Sequence, residues 1–154
     1  MDALLLPWTF LPGVVAGALM LAVAAQIVLV LRLLNEGGQA RMKAGREGRI
    51  TVDTYKVVGD EPPDLAIRTR AILNQSEIPV LFYAIVALHL AARTASWFTV
   101  ILAVAFVALR WVHANEMLGE NRVMVRRHRF IQGTTVLAIM LLEFVLAAFV
   151  VMLR

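Results

Sequence analysis

Four runs of apolar residues, at about 11–34, 71–92, 97–117 and 131–153, constrain this chain more than any other feature. A helix needs about 20 mostly apolar residues to cross the hydrocarbon of a bilayer. Hydrophobic residues make up 60% of the 154, against about 45–50% in soluble domains. A soluble fold this short would leave too much of that content in water. The predicted fold is all-α: an integral membrane four-helix bundle, one transmembrane domain over residues 1–154, with loops at about 35–67 and 118–129. The third run is strictly apolar only to about His113 and is expected to continue past Arg110 into the headgroups. The first run is expected to stay in place. Ala22-Val23-Ala24 imitates a cleavage site, but no basic stretch precedes it and the apolar run continues to Leu34.

Charge gives the bundle a direction. Arg41, Lys43, Arg46, Arg49, Lys56, Arg68 and Arg70 follow the first run, and Arg122, Arg126, Arg127 and Arg129 follow the third. The opposite side carries only Arg93 and Arg154. The positive-inside rule then puts both basic loops in the cytoplasm and both termini outside. The net charge of +4 is explained by these loops. No aromatic platform accompanies them, so nucleic acid is not an expected partner. The first loop is glycine-rich, contains RITVDTYKVV as a candidate short strand or extended piece, and ends in Pro62-Pro63. There is no cysteine, so thiol chemistry would need a sulfur carried by a bound molecule.

With direction fixed, the rise of about 1.5 Å per residue assigns each polar residue a depth. Gln26 and Arg32 fall in the inner half of the first span, and Arg70, Asn74 and Glu77 near the inner end of the second. Arg110 and His113 fall near the inner end of the third, and Arg122, Arg126 and Arg127 at the entry to the fourth. These groups share one layer. Arg70, Asn74, Glu77 and Leu81 follow one helical stripe, and Arg110, His113 and Met117 another. Charged groups at membrane depth face a bundle interior or a wet cavity. Several arginines, an imidazole, an amide and one carboxylate suit an anionic or zwitterionic ligand, because guanidinium forks grip carboxylates. Pro79, just above the cluster, is expected to bend its helix and widen the cavity.

Plainer roles compete. Basic residues here can anchor to lipid phosphates, Asn74 and Glu77 can join helices, and His113 alone reads as an interfacial side chain. Gln26 is expected to make an interhelical hydrogen bond. Glu143 stands apart in the outer half, either hydrogen-bonded to a neighbouring helix or holding a ligand from that leaflet. His89, His113 and His128 share neither depth nor face, so no metal site is expected. NEGGQARMKAGREGR lacks phosphate-loop spacing.

RTRAILNQSEIPVLFYAIVAL and RWVHANEMLGENRVMVRRHRFIQG carry a more specific signal. The first resembles the second helix of the MAPEG family, the membrane-associated proteins in eicosanoid and glutathione metabolism, through Asn74 and Glu77 preceded by Arg70. The second resembles that family's third helix, short loop and entry to the fourth. The resemblance implies a homotrimer with sites between subunits, open to the cytoplasmic leaflet and holding glutathione. It implies that Asn74 and Glu77 hold the peptide, that Arg70, Arg110, His113, Arg122 and Arg127 line its binding site, and that Arg126 is catalytic, beside the sulfur. Four positions depart from the pattern: Met117 and Phe130 replace tyrosines, Arg127 a serine and Leu73 an arginine. The chain therefore resembles a divergent, bacterial-type member, expected in the inner membrane.

The expected function is a membrane-embedded, glutathione-dependent transferase or peroxidase-like protein acting on hydrophobic electrophiles, with membrane lipid around it. The alternative is a non-catalytic lipid-binding or accessory subunit that keeps the fold, motivated by the two missing phenols. A transporter is disfavoured, because no polar path crosses the outer half beyond Glu143.

Overall fold

The computed structural model describes residues 12–56 and 59–153. Four long helices account for most of them: α1 (Pro12–Arg46), α2 (Pro63–Ala91), α3 (Trp97–Leu118) and α4 (Val123–Met152). All four are long and apolar enough to cross a membrane. A 3-10 turn, Val52–Tyr55, interrupts the link between α1 and α2. Leu11 and Arg154 lie outside the described residues.

Local chemistry sets the ends. Pro62 and Pro63 begin α2, where a missing N–H costs nothing and the fixed φ suits the first turn. Ser96 caps α3 with a reciprocal pair: its hydroxyl accepts from Thr99 N at 3.1 Å, and Ser96 N donates to Thr99 Oγ1 at 3.0 Å. The α2–α3 turn places Arg93 at φ 56°, and the α3–α4 turn places Asn121 at φ 52°. α2 runs unbroken through Pro79, which is buried.

The predicted loop at 35–67 is largely helical instead. α1 continues to Arg46, and α2 begins at Pro63. Gly37 and Gly38 read as helix breakers, but Gly37 sits at a close helix crossing. A Cβ there would lie 2.9 Å from Ile72 Cδ1 of α2. Around the glycines stand good helix formers and the i,i+4 pair Arg32–Glu36 at 2.7 Å. The candidate strand in RITVDTYKVV is the 3-10 turn; its Val57 and Val58 lie outside the described residues. Two ties hold this linker to the helices: Arg41 to Glu61 at 3.2 Å and Arg49 to Asp64 at 3.2 Å. α4 begins eight residues before the apolar run.

Two apolar clusters fill the bundle. Nearer the α2–α3 turn, Leu19, Phe82, Phe106 and Met140 pack together, with the Phe82 and Phe106 rings stacked at 4.7 Å. Nearer the linker end, Leu29, Leu33, Ala71, Ala114 and Met117 form the second. A polar belt separates them. Gln26 donates to Gln75 Oε1 at 3.0 Å across α1 and α2, with both residues buried. Arg110, 2% exposed, donates to the Asn74 carbonyl at 2.9 Å across α3 and α2. Buried polar groups are costly unless bonded, so these contacts fix how the helices register. The outward faces of α1 and α4 are largely exposed aliphatic residues, as a bilayer requires.

Candidate functional site

A cavity of about 350 Å³ opens beside the polar belt, toward the linker end of the bundle. From α2 it takes Arg70 and Asn74, and from α3 His113 and Met117, each pair one turn apart. α4 supplies Arg126, Arg127 and Phe130, with Val123 at its first turn. Its volume lies within the usual range of small-molecule sites, about 300–1,000 Å³. Residues far apart in sequence meet here because antiparallel helices bring the start of α2, the end of α3 and the start of α4 to one level.

Each polar side chain has a defined setting. His113 is 4% exposed, and its Nδ1 lies 3.1 Å from the Arg126 carbonyl. A carbonyl only accepts, so Nδ1 carries the proton, and the neutral ring keeps Nε2 as an acceptor. That Nε2 is buried with no hydrogen-bond partner among the described residues. Arg126 is half-buried and donates through Nη1 to Asn121 Oδ1 at 2.6 Å. Asn74 Nδ2 reaches Met117 Sδ at 3.5 Å, a weak contact that leaves most of the amide's capacity for a ligand. Arg70 and Arg127 are exposed around the cavity. Among the described residues no carboxylate lines it. Three guanidinium groups with no lining acid favour an anion, and Val123, Met117 and Phe130 supply an apolar wall.

Five of the residues predicted from sequence therefore meet: Arg70, Asn74, His113, Arg126 and Arg127. Three others are placed differently. Arg110 sits behind Asn74, where it anchors the α2 backbone rather than lining the space. Arg122 is drawn off by acids at the α3–α4 turn, with Glu116 at 3.0 Å through two guanidinium nitrogens and Glu120 at 3.0 Å. Glu77 is exposed on the outer face of the single chain and does not line the cavity. Asn121, which holds Arg126, was not singled out from sequence. The signal was Gly119-Glu120-Asn121 between two helices, a turn that favours left-handed backbone, which asparagine tolerates.

Phe130 stands 6.0 Å from the His113 ring and offers no hydroxyl; Met117 offers none either. Of the three arginines that line the cavity, Arg126 is the half-buried one. At the other end of the bundle, Glu143 is tied into the fold. It accepts from Ser96 Oγ at 2.8 Å and Thr99 Oγ1 at 2.7 Å, and lies 3.8 Å from His89 Nε2. This fits the interhelical hydrogen-bonding reading of Glu143. Among the described residues no group of three acidic or histidine side chains could hold a metal.

The model of the MAPEG family matches residues 15–148, which reaches from α1 into α4 and covers every residue of the cavity. No curated protein and no solved structure matches the chain. The family match supports, in general terms, an integral membrane protein with a glutathione-related transferase, peroxidase or allied function. Four membrane-length helices, a layer of cations at one level and a family match from α1 to α4 agree, and the chain belongs to the MAPEG family.

Proposed function

We propose that this protein is a glutathione-dependent transferase or peroxidase-like enzyme acting on hydrophobic electrophiles dissolved in the bilayer. The observation that carries the reading is the cavity itself: three arginines, an amide and an acceptor imidazole around a space without a carboxylate. Glutathione would supply the thiol that a cysteine-free chain lacks. The residues fit such a ligand. Arg70 and Arg127 can fork onto carboxylates, and Asn74 can donate and accept along a peptide. His113 Nε2 can accept from an N–H. Arg126, oriented by Asn121, supplies a fixed positive charge that favours thiolate over thiol. The apolar wall of Val123, Met117 and Phe130 lets a hydrophobic substrate approach from the acyl chains.

Glu77 supports the homotrimer that the family suggests. An ionisable group at membrane depth is costly against lipid, and a neighbouring copy covering this face would remove that cost. Glu77 would then complete a site between subunits and take the ligand's ammonium group. In this reading the chain is a single transmembrane domain in a bacterial inner membrane, with both basic loops cytoplasmic and the termini outside, as the charge asymmetry favours.

Titration calorimetry in detergent tests the proposal. Wild type is expected to give saturable heat with millimolar glutathione, and Arg126→Ala is expected to lose turnover while keeping its fold. No heat from wild type would end the glutathione reading. The absence of a phenol at Met117 and Phe130 favours one alternative, a non-catalytic lipid-binding or accessory subunit. Native mass spectrometry separates the two, because a stoichiometric phospholipid or protein partner without glutathione binding marks the accessory role.

A further inference from the structure

The cations at the linker end divide into two sets. Arg41 and Arg49 are occupied. Arg41 Nη2 donates to Glu61 Oε1 at 3.2 Å and Thr69 Oγ1 at 2.7 Å, and Arg49 Nη1 donates to both oxygens of Asp64 at 3.2 Å. These contacts fold the linker onto α1 and α2. Lys43, Arg46 and Arg68 are not used this way. They line a different and larger cavity, about 700 Å³, between the end of α1 and the start of α2.

The one acid in that lining, Glu36, is already answered by Arg32 at 2.7 Å. Arg46 and Arg68 have no ion pair among the described residues, and Lys43 has only a 3.9 Å approach to Glu47. Arg68 is nonetheless partly buried. Three cations thus share a concave space with no free counter-charge. Local structure builds the space. Glu36, Gln39, Lys43 and Arg46 recur at helical spacing on one side of α1. The bare backbone at Gly37 lets Ile72 of α2 come close beneath them.

Depth indicates what fills it. The apolar run ends at Leu34, and the helix from Glu36 to Arg46 extends about 15 Å further. The cavity therefore begins at the level of lipid phosphates and reaches into water. We propose that Lys43, Arg46 and Arg68 form a binding site for a phosphate group, carried by an anionic lipid headgroup or by a soluble phosphate compound. Two guanidinium forks and one ammonium suit a phosphomonoester dianion better than a diester. Gln39 can donate to a further oxygen. Within the single chain the site shares no lining residue with the cavity of Asn74 and Arg126, and the proposal does not rest on glutathione binding there.

The test uses the intact protein. It is reconstituted with phosphatidic acid, phosphatidylglycerol or phosphatidylcholine, and retained lipid is read by native mass spectrometry. In parallel, delipidated protein is titrated calorimetrically with inorganic phosphate and pyrophosphate. Phosphatidic acid is expected to be retained above phosphatidylcholine. Lys43→Gln, Arg46→Gln and Arg68→Gln are expected to weaken retention about fivefold per cation. Arg68→Lys keeps most of the binding and shows that the fold is intact. Arg129→Gln, a basic residue on the same side but outside the cavity, leaves retention unchanged. Calorimetric heat that these same variants abolish would assign the site to a soluble phosphate instead of a lipid. The proposal is overturned if the triple variant behaves as wild type in both assays, or if Arg129→Gln costs as much as Arg68→Gln.

Discussion

Asn121 is the most informative residue to change, because its side chain orients Arg126 from outside the cavity lining. Its Oδ1 accepts from Arg126 Nη1 at 2.6 Å, and its backbone sits at φ 52°. Replacement by alanine would mix two effects, since alanine at positive φ is strained. Asn121→Gly removes the amide and keeps the backbone comfortable. A hydrogen bond to a charged donor contributes about 1.5–3 kcal/mol. Arg126 is half-buried, so the lower end applies. At 1.36 kcal/mol per decade, that predicts a loss of about tenfold in turnover with an electrophilic aryl halide. The same variant should weaken the thiolate absorbance of bound glutathione, a signature that a folding defect would not produce selectively. Asn121→Asp keeps the acceptor oxygen but adds a negative charge beside the cation, and should suppress the thiolate further. Wild-type turnover and thiolate absorbance in Asn121→Gly would refute the claim that Arg126 acts from the position Asn121 gives it.

Further outcomes follow from the same contacts. Restoring a phenol with Phe130→Tyr, next to the His113 ring, should raise turnover and thiolate absorbance, because the new hydroxyl can donate to sulfur; unchanged kinetics would place that ring too far from the thiol. Gln26→Leu or Gln75→Leu alone leaves the partner amide unpaired in the belt, while the double variant removes both. A double-mutant cycle on unfolding should give a coupling of about 0.6 kcal/mol, typical of polar pairs between membrane helices, and additive effects would count against the belt. Gly37→Ala should cost little, since the atom it meets is the flexible end of Ile72. Gly37→Leu should destabilise by about 1–3 kcal/mol through overpacking, measurable by thermal unfolding in detergent.

Much of this was legible in the sequence because it depends on spacing. Four apolar runs set the helices, and residue depth alone predicted that Arg70, Asn74, His113, Arg126 and Arg127 could meet. Depth carries no azimuth, however. Glu77 shares the stripe of Asn74 but turns outward on the single chain, and Arg110 points behind Asn74 rather than into the cavity. Arg122 was lost to a competitor six residues away: Glu116 reaches it across the α3–α4 turn, a geometry that no helical periodicity encodes. The extension of α1 from Asn35 to Arg46 was hidden by Gly37 and Gly38. Their role is set by Ile72, which lies on another helix.

In the proposed function, the chamber lined by α2, α3 and α4 holds a glutathione molecule with its sulfur beside Arg126. The direct measurement is a cryo-electron microscopy map of the protein purified in saturating glutathione. Density running from the Asn74 amide to the Arg126 guanidinium, sized for a tripeptide, is the predicted result. Acyl-chain density in that space, or a chamber unchanged by glutathione, would contradict it.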